Sequence, residues 1–260
     1  MLQSPFKMFA ECFWMLQHFV RESGYKLFYL WKRIGAWIRY WKSYYKYKNL
    51  APPSTKPRLD YLYPCLGDDT DETEIEAVYF YQDSWVFEKI VNQQPKSHID
   101  VGSHHKFVAL LSKVFPVTIV DIRPLSLPLD SLKFLEGSIL DLPFEDGSVS
   151  SLSSLCVVEH IGLGRYGDPL DPYGTEKAIE ELKRVIAPGG HLWISVPVSD
   201  QNAVHFNAGR ILSIHYLYSL IEPLQIIDQA FIVGRTLQKK YESRPRFGTT
   251  ALLHLKKPYN

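Results

Sequence analysis

Four short segments carry residue types suited to holding a polar ligand and moving a proton. Asp100-Val101-Gly102 closes an apolar run and leads into a helical pattern. A glycine at such a corner lets backbone approach a ligand closely, and the acid can accept a hydrogen bond from an amino group or position the turn. Asp121 ends the next apolar run, Val117-Thr118-Ile119-Val120. About 20 residues beyond the first turn, an acid is placed to accept hydrogen bonds from ribose hydroxyls. Glu159-His160 follow a later strand-like run, and an imidazole with an ordinary pKa of about 6.5 suits a general base for a hydroxyl. The bland alternative has Glu159 capping a helix or pairing with Arg165, and His160 packing under a loop. In Gly162-Leu163-Gly164-Arg165-Tyr166-Gly167-Asp168-Pro169, Arg165 offers a fork for a carboxylate or phosphate and Tyr166 a face for a sugar ring. That loop reads either as a mobile lid or as a rigid turn held by Asp168. Glu159, His160 and His205 have metal-ligand chemistry but are spread over separate loops, and the adjacent His104 and His105 are expected to diverge, so no metal site is expected.

These residues need strand ends to position them. From residue 76 onward short β-rich runs alternate with helical patterns, the signature of a mostly parallel α/β sheet. The pattern predicts a helix at Ser84–Asn92, strand His98–Val101, helix His105–Val114 and strand Val117–Asp121. Strands at Lys133–Leu135 and Val149–Leu155 follow, then helix Thr175–Ile186, a Pro188-Gly189-Gly190 turn and strand His191–Pro197. A helix over Arg210–Leu220 precedes two strands, Gln225–Val233 and Thr249–Leu255, expected to form an antiparallel hairpin. In such an open sheet the ligand crevice lies at the carboxyl ends of the strands, which is where Gly102 and Asp121 fall.

The bulk composition narrows the setting. Apolar residues make up 46% of the chain, enough for a buried core, and the net charge of +1 gives no global reason to expect a nucleic-acid partner. Three widely spaced cysteines, Cys12, Cys65 and Cys156, argue against a disulfide framework and fit a reducing cytoplasm. The apolar stretch Met8–Val20 is interrupted by Glu11, Gln17 and His18 and is too short to span a bilayer.

Three zones are expected: a basic, aromatic helical appendage over residues 1–50, a linker over 51–75 and an α/β domain over 76–260. The first zone holds nine Lys/Arg against two acids, net +7, leaving the rest of the chain at −6. Leu27, Leu30, Trp31, Ile34, Trp37, Ile38, Trp41 and Tyr45 recur every three or four residues, with Lys26, Lys32, Arg33, Arg39, Lys42 and Lys46 around them. Such a helix over residues 25–47 suits peripheral contact with an anionic membrane face; packing the stripe on protein is the alternative, and nucleic acid is disfavoured because aromatics and cations are segregated.

The order of motifs resembles the class I S-adenosylmethionine (SAM)-dependent methyltransferases. The resemblance rests on the Asp100–Gly102 turn, Asp121, Gly137-Ser138 ahead of Leu142-Pro143-Phe144, Glu159-His160, and the run from Glu180 to Gly190. Tyr79-Phe80-Tyr81-Gln82-Asp83, the run from Glu159 to Pro169, and Phe206-Asn207-Ala208-Gly209-Arg210 resemble the bacterial family called domain of unknown function 268. The resemblance covers roughly residues 60–235. It implies a Rossmann-like sheet with a final antiparallel strand and SAM as cofactor. Asp100, Gly102 and Ser103 would then lie at the methionine end, Asp121 at the ribose, and Ser138 and Ile139 at the adenine. Glu159 and His160 would be catalytic, with Arg165, Tyr166, His205, Asn207 and Arg210 on the acceptor. The pattern departs at His104, which replaces a small residue, and at Ser138, which replaces an acid. The implied activity is methylation of a small or glycan-type hydroxyl acceptor in the cytoplasm. The alternative is a non-catalytic scaffold or binding subunit of envelope or polysaccharide assembly.

Overall fold

A computed structural model describes residues 31–259, which fall into two compact units divided between Glu74 and Ile75. Leu27, Leu30, Lys26, Cys12 and the apolar stretch Met8–Val20 lie outside the described residues. In the first unit, residues 31–50 form helix α1, followed by 3-10 turns at Pro53–Thr55 and Leu59–Tyr61. Within it the Tyr44 hydroxyl donates to the Pro57 carbonyl at 3.3 Å, and Arg39 pairs with Asp69 at 2.6 Å. Among the described residues no helix is long and apolar enough to cross a membrane.

The second unit is an open α/β sheet. Strands β1 (His98–Val101), β2 (Val117–Asp121), β3 (Leu132–Glu136), β4 (Val149–Leu155) and β5 (Ile186–Ser199) run parallel in the order β3-β2-β1-β4-β5. Strand order therefore reverses between β1 and β4, the point at which an open sheet splays to leave a crevice. Small strands β6 (Ala203–His205) and β7 (Gly209–Ser213) form a hairpin, and β7 extends the end of β5. Beyond β5 lie β10 (Thr249–Lys256), β8 (Gln225–Val233) and β9 (Thr236–Gln238), with β10 antiparallel to both β5 and β8.

Alternation along the strands feeds two cores. Ile119, Leu155, Trp193 and Leu252 face helices α2 (Ala77–Gln93) and α3 (His105–Leu111), meeting Trp85, Val86, Ile90 and Phe107. Val120, Leu152, Ile194 and Leu253 face α4 (Gly174–Val185) and α5 (Ile214–Ile221), meeting Ile179, Leu182 and Leu217. Strand β4 reads Val-Ser-Ser-Leu-Ser-Ser-Leu, which is polar for a central strand. Its buried hydroxyls are matched: Ser151 and Ser153 each meet a ring nitrogen of His98 at 2.8 Å, and Ser154 donates to the Val101 carbonyl at 3.0 Å.

Several expected boundaries move. Helix α2 starts at Ala77 rather than Ser84, because the Glu76 carboxylate caps the Val78 amide at 3.3 Å and buried Gln82, Trp85, Val86 and Ile90 anchor one face. Helix α3 ends at Leu111 rather than running to Val114. The stretch expected as helix from Arg210 is strand until Ser213, whose hydroxyl accepts from the Tyr216 amide at 3.1 Å and starts α5 there. Pro188-Gly189-Gly190 is not a free turn: Gly189 donates to the Lys257 carbonyl at 2.8 Å, and Lys257 donates to Gly190 at 3.0 Å, pinning it to the C-terminal strand. The last two long strands do pair antiparallel, but with β9 between them in sequence.

Leu182 on α4 is fully buried, whereas Glu180 beside it holds only an exposed pair with Lys183. Leu182→Ala is expected to lower unfolding free energy by about 2–5 kcal/mol in urea titration. Glu180→Ala should change it by less than about 0.5 kcal/mol.

Candidate active site

The crevice at the carboxyl ends of β1, β2 and β4 is a cavity of about 1040 Å³. Pockets for one small ligand run from about 300 to 1,000 Å³, so this one has room for a nucleoside-sized ligand and a second small molecule. Gly102, Ser103, Asp121, Ser138, Ile139, Glu159, His160, Arg165 and Tyr166 all line it.

The first turn is built from behind. Asp100 is fully buried and does not line the cavity. One carboxylate oxygen accepts the Ser103 amide at 3.0 Å and the other accepts the Ser153 hydroxyl at 2.5 Å. Of the two roles open to Asp100 in the sequence, the geometry is that of positioning the turn. Burial raises its pKa to about 6, against the lowering effect of those hydrogen bonds. Ser103 in turn accepts the Leu155 amide at 3.0 Å, tying the turn to β4. Gly102 has φ +71, and a Cβ there would come within 3.1 Å of Val157. His104, bulky where the resembling pattern has a small residue, caps α3 through its ring nitrogen at 3.3 Å and packs against Tyr79 with centroids 5.1 Å apart. It lines the cavity without filling it. The His105 ring lies 4.2 Å from that of His104, so the two do not diverge as expected.

The ends of β2 and β3, where the ribose and adenine residues were expected, both line the cavity. One oxygen of Asp121 accepts the Arg123 amide at 2.8 Å. Gly137 packs so tightly that a Cβ would meet Val120 at 2.9 Å. The Ser138 hydroxyl accepts the Leu140 amide at 3.2 Å, while Ile139 is a buried apolar wall. The run from Glu180 to Gly190 fixes this loop from outside. Arg184 donates to the Phe144 carbonyl at 2.9 Å and to Asp146 at 2.6 Å, and Glu181 accepts the Leu142 amide at 2.7 Å.

At the opposite end Glu159 is 2% exposed, and its Oε2 has no hydrogen-bond partner among the described residues. Burial raises its pKa to about 8, and burial with the nearby Arg165 charge lowers His160 to about 4. Their 3.9 Å approach therefore joins two neutral groups near pH 7 rather than an ion pair. His160 Nδ1 faces an Arg165 amino group at 3.4 Å, which directs its lone pair away from an acceptor. Arg165 also donates to the Ala208 carbonyl at 2.7 Å. The Tyr166 ring is held between the Arg123 and Arg165 guanidiniums, 4.5 Å and 5.1 Å from its centre. Asp168 accepts the Gly162 amide at 2.6 Å, so the loop has the rigid-turn geometry.

The remaining expected acceptor residues do not line the cavity. Arg210 is buried, and its guanidinium is used up by the carbonyls of Ile161, Asp171 and Pro172 and the Thr175 hydroxyl. It holds the 161–172 loop in shape rather than presenting a fork to a ligand. His205 packs on Phe247 at 4.8 Å, and Asn207 sits exposed at φ +65 in the β6–β7 turn. Glu159, His160 and His205 do not converge: among the described residues no group of three His, Cys, Asp or Glu is arranged to hold a metal. The sequence reading missed Tyr79, Arg123 and Cys156, which line the cavity, and the buried Gln82 behind them. Gln82 accepts from the Ser195 hydroxyl at 2.6 Å and the Cys156 thiol at 3.1 Å. Its signal was an amide at a core position of α2, spaced four residues from Val86 and eight from Ile90.

A family model described as "Caenorhabditis protein of unknown function, DUF268" matches residues 146–236, about a third of the chain. The expected bacterial origin is thus corrected, since the family is described from Caenorhabditis, and its match begins after the Gly102 turn. No curated protein matches in sequence. Among solved structures, a putative sarcosine dimethylglycine methyltransferase from Galdieria sulphuraria is 17% identical with TM-score 0.52, covering 72% of this chain and 89% of that one. The [4+2]-cyclase SpnF is 14% identical with TM-score 0.51, covering 73% and 86%. The Burkholderia thailandensis 1,6-didemethyltoxoflavin-N1-methyltransferase, solved with S-adenosylhomocysteine (SAH), is 16% identical with TM-score 0.50, covering 70% and 80%. At these identities the likeness establishes the fold of the α/β unit, and a cyclase among the three shows why it does not establish the reaction.

Two outcomes follow from the site's electrostatics. The folded pKa of Glu159, about 8, lies above its ordinary 4.5, so the folded chain holds a proton the unfolded chain has lost, and stability falls as pH rises between them. Asp100 contributes the same way only up to about pH 6, and the lowered histidines act oppositely only below about 6.5. Between pH 6.5 and 8 the decline belongs to Glu159, and urea titrations should find it flattened in Glu159→Gln. The effect is about 1.4 kcal/mol for each pH unit by which the folded pKa is displaced. Arg210→Lys should destabilise by about 1–3 kcal/mol, because one ammonium cannot satisfy all four acceptors.

Proposed function

We propose that the chain is a SAM-dependent methyltransferase acting on a hydroxyl of a small or glycan-type acceptor. The carrying observation is the pairing, in one crevice, of the Gly102–Asp121 end with the unpartnered, buried Glu159 oxygen at the other. The residues fit the cofactor. Gly102 leaves open the backbone approach that a side chain would obstruct, Asp121 would meet the ribose, and Ser138 and Ile139 would flank the adenine. Ser103 helps hold the turn at the methionine end. When bound, SAM supplies a methyl group already activated by a sulfonium, so the protein's task is to align the acceptor and take its proton.

Glu159 suits the second task better than His160. Its Oε2 is a buried oxygen without a partner among the described residues. Burial keeps the group protonated near pH 7, and the Arg165 charge joined by the sulfonium of bound SAM would favour the ionised form that takes a proton. His160, held neutral with its Nδ1 facing Arg165, positions the carboxylate. Tyr166, with the Arg123 and Arg165 guanidiniums at its ring, brings an aromatic edge and two cationic forks to the cavity wall, groups suited to a sugar acceptor.

A second reading, a scaffold that does not turn over, draws on His104, whose ring replaces a small residue beside Gly102. Calorimetric titration of the full chain with SAM and SAH separates the two. Micromolar binding of both, weakened at least about tenfold in Asp121→Ala, supports the enzyme; no binding by either selects the scaffold. With radiolabelled SAM and fractionated envelope precursors, Glu159→Gln should lose about 10²–10⁴ in kcat while retaining SAH affinity. Unchanged turnover in that variant would remove Glu159 from the reaction.

A further inference from the structure

Helix α1 has three kinds of face. Ala36 and Tyr44, eight residues apart, are its buried residues, with half-buried Tyr40 between them. At 100° per residue, Trp31, Ile34, Trp37, Ile38, Trp41 and Tyr45 fall on a different arc about 120° wide. That arc is open: Trp31 is 71% exposed, Ile38 52% and Tyr45 58%. The stripe noted in the sequence is thus not the face the helix buries.

Its side chains are ordered among themselves. Trp37 stacks on Trp41 with centroids 6.5 Å apart, Trp41 meets Tyr45 at 6.1 Å, and Ile34, Ile38 and the Lys42 stem complete a shallow apolar groove. Residues 31–50 hold six Lys or Arg and no acid. Lys42, Lys46, Arg39 and Lys32 follow around the helix on one side of the arc, and Arg39 pairs with Asp69 at 2.6 Å.

We infer that this arc is a docking face for an anionic lipid bilayer, with its tryptophans and isoleucines entering the headgroup boundary and the flanking cations meeting lipid phosphates. Charge decides against a second copy of the helix as occupant, since two such helices would bring twelve cations together and neither helix carries an acid of its own. Tryptophan and tyrosine beside a lysine border are the side chains that favour the bilayer interface, where an apolar body and a polar tip are both satisfied. The helix would lie in the plane of the surface, which needs no membrane-spanning length.

The test is cosedimentation of the full chain with phosphatidylcholine vesicles, with and without 30% phosphatidylglycerol, across salt concentrations. Binding should be at least about tenfold stronger on the anionic vesicles and should weaken as salt rises. Both Lys42→Glu/Lys46→Glu and Trp37→Ala/Ile38→Asp should lose it while keeping the wild-type circular dichroism and melting temperature. No pelleting with anionic vesicles, or equal pelleting of either double variant, would overturn the inference. So would a dimer in solution that Trp37→Ala/Ile38→Asp converts to monomer, since the stripe would then be covered by protein.

Discussion

The Asp100 carboxylate holds the site together. It is buried between β1 and β4 where the strand order reverses, accepting the Ser103 amide on one oxygen and the Ser153 hydroxyl on the other. Ser103 passes the constraint to Leu155, and His98 bridges Ser151 and Ser153 on the same strand. A splayed sheet would otherwise leave these polar groups unsatisfied at its weakest seam. With them paired, Gly102 is presented at its left-handed φ and β4 ends at a fixed height beside it. The geometry of the crevice follows from that height, because Cys156, Val157 and Glu159 hang from the end of β4.

A second arrangement fixes the Glu159 end of the crevice. Arg210 reaches under the 161–172 loop and satisfies its inward carbonyls, while Asp168 satisfies amides from the other side. Glycine-rich backbone is thereby made rigid without a helix or strand. Rigidity there lets Glu159 stay buried with one oxygen unpaired, a state that costs stability and that a ligand would relieve. Glu159, Cys156 and His160, whose pKa values burial displaces, sit together at that end of the crevice.

Much of this was legible in the sequence. The strands from β1 to β4 appear within a residue of their predicted limits, because apolar runs between turn formers leave few alternatives. The crevice residues Gly102, Asp121, Ser138, Ile139, Glu159, His160, Arg165 and Tyr166 also share one cavity, since strand-end position follows from strand assignment. His205, Asn207 and Arg210 were expected at the crevice because they follow β5, but they lie on the β6–β7 hairpin, which the sequence reading did not contain and which keeps them off the cavity wall. The run from Gly209 to Ser213 has no local signal separating it from the helix that follows, and its pairing to β5 is a long-range event.

Residue types and their spacing alone thus determined the α/β class, the strand ends that carry chemistry, and a basic aromatic helix ahead of them. These are local properties, set by periodicity and by backbone preferences at glycines and caps. Only the tertiary structure decided which polar groups spend their hydrogen bonds on the fold and which keep one for a ligand. Asp100 and Arg210 look as reactive in sequence as Glu159 does. Burial and partners, which come from distant parts of the chain, made the first two structural and left the third with an open oxygen.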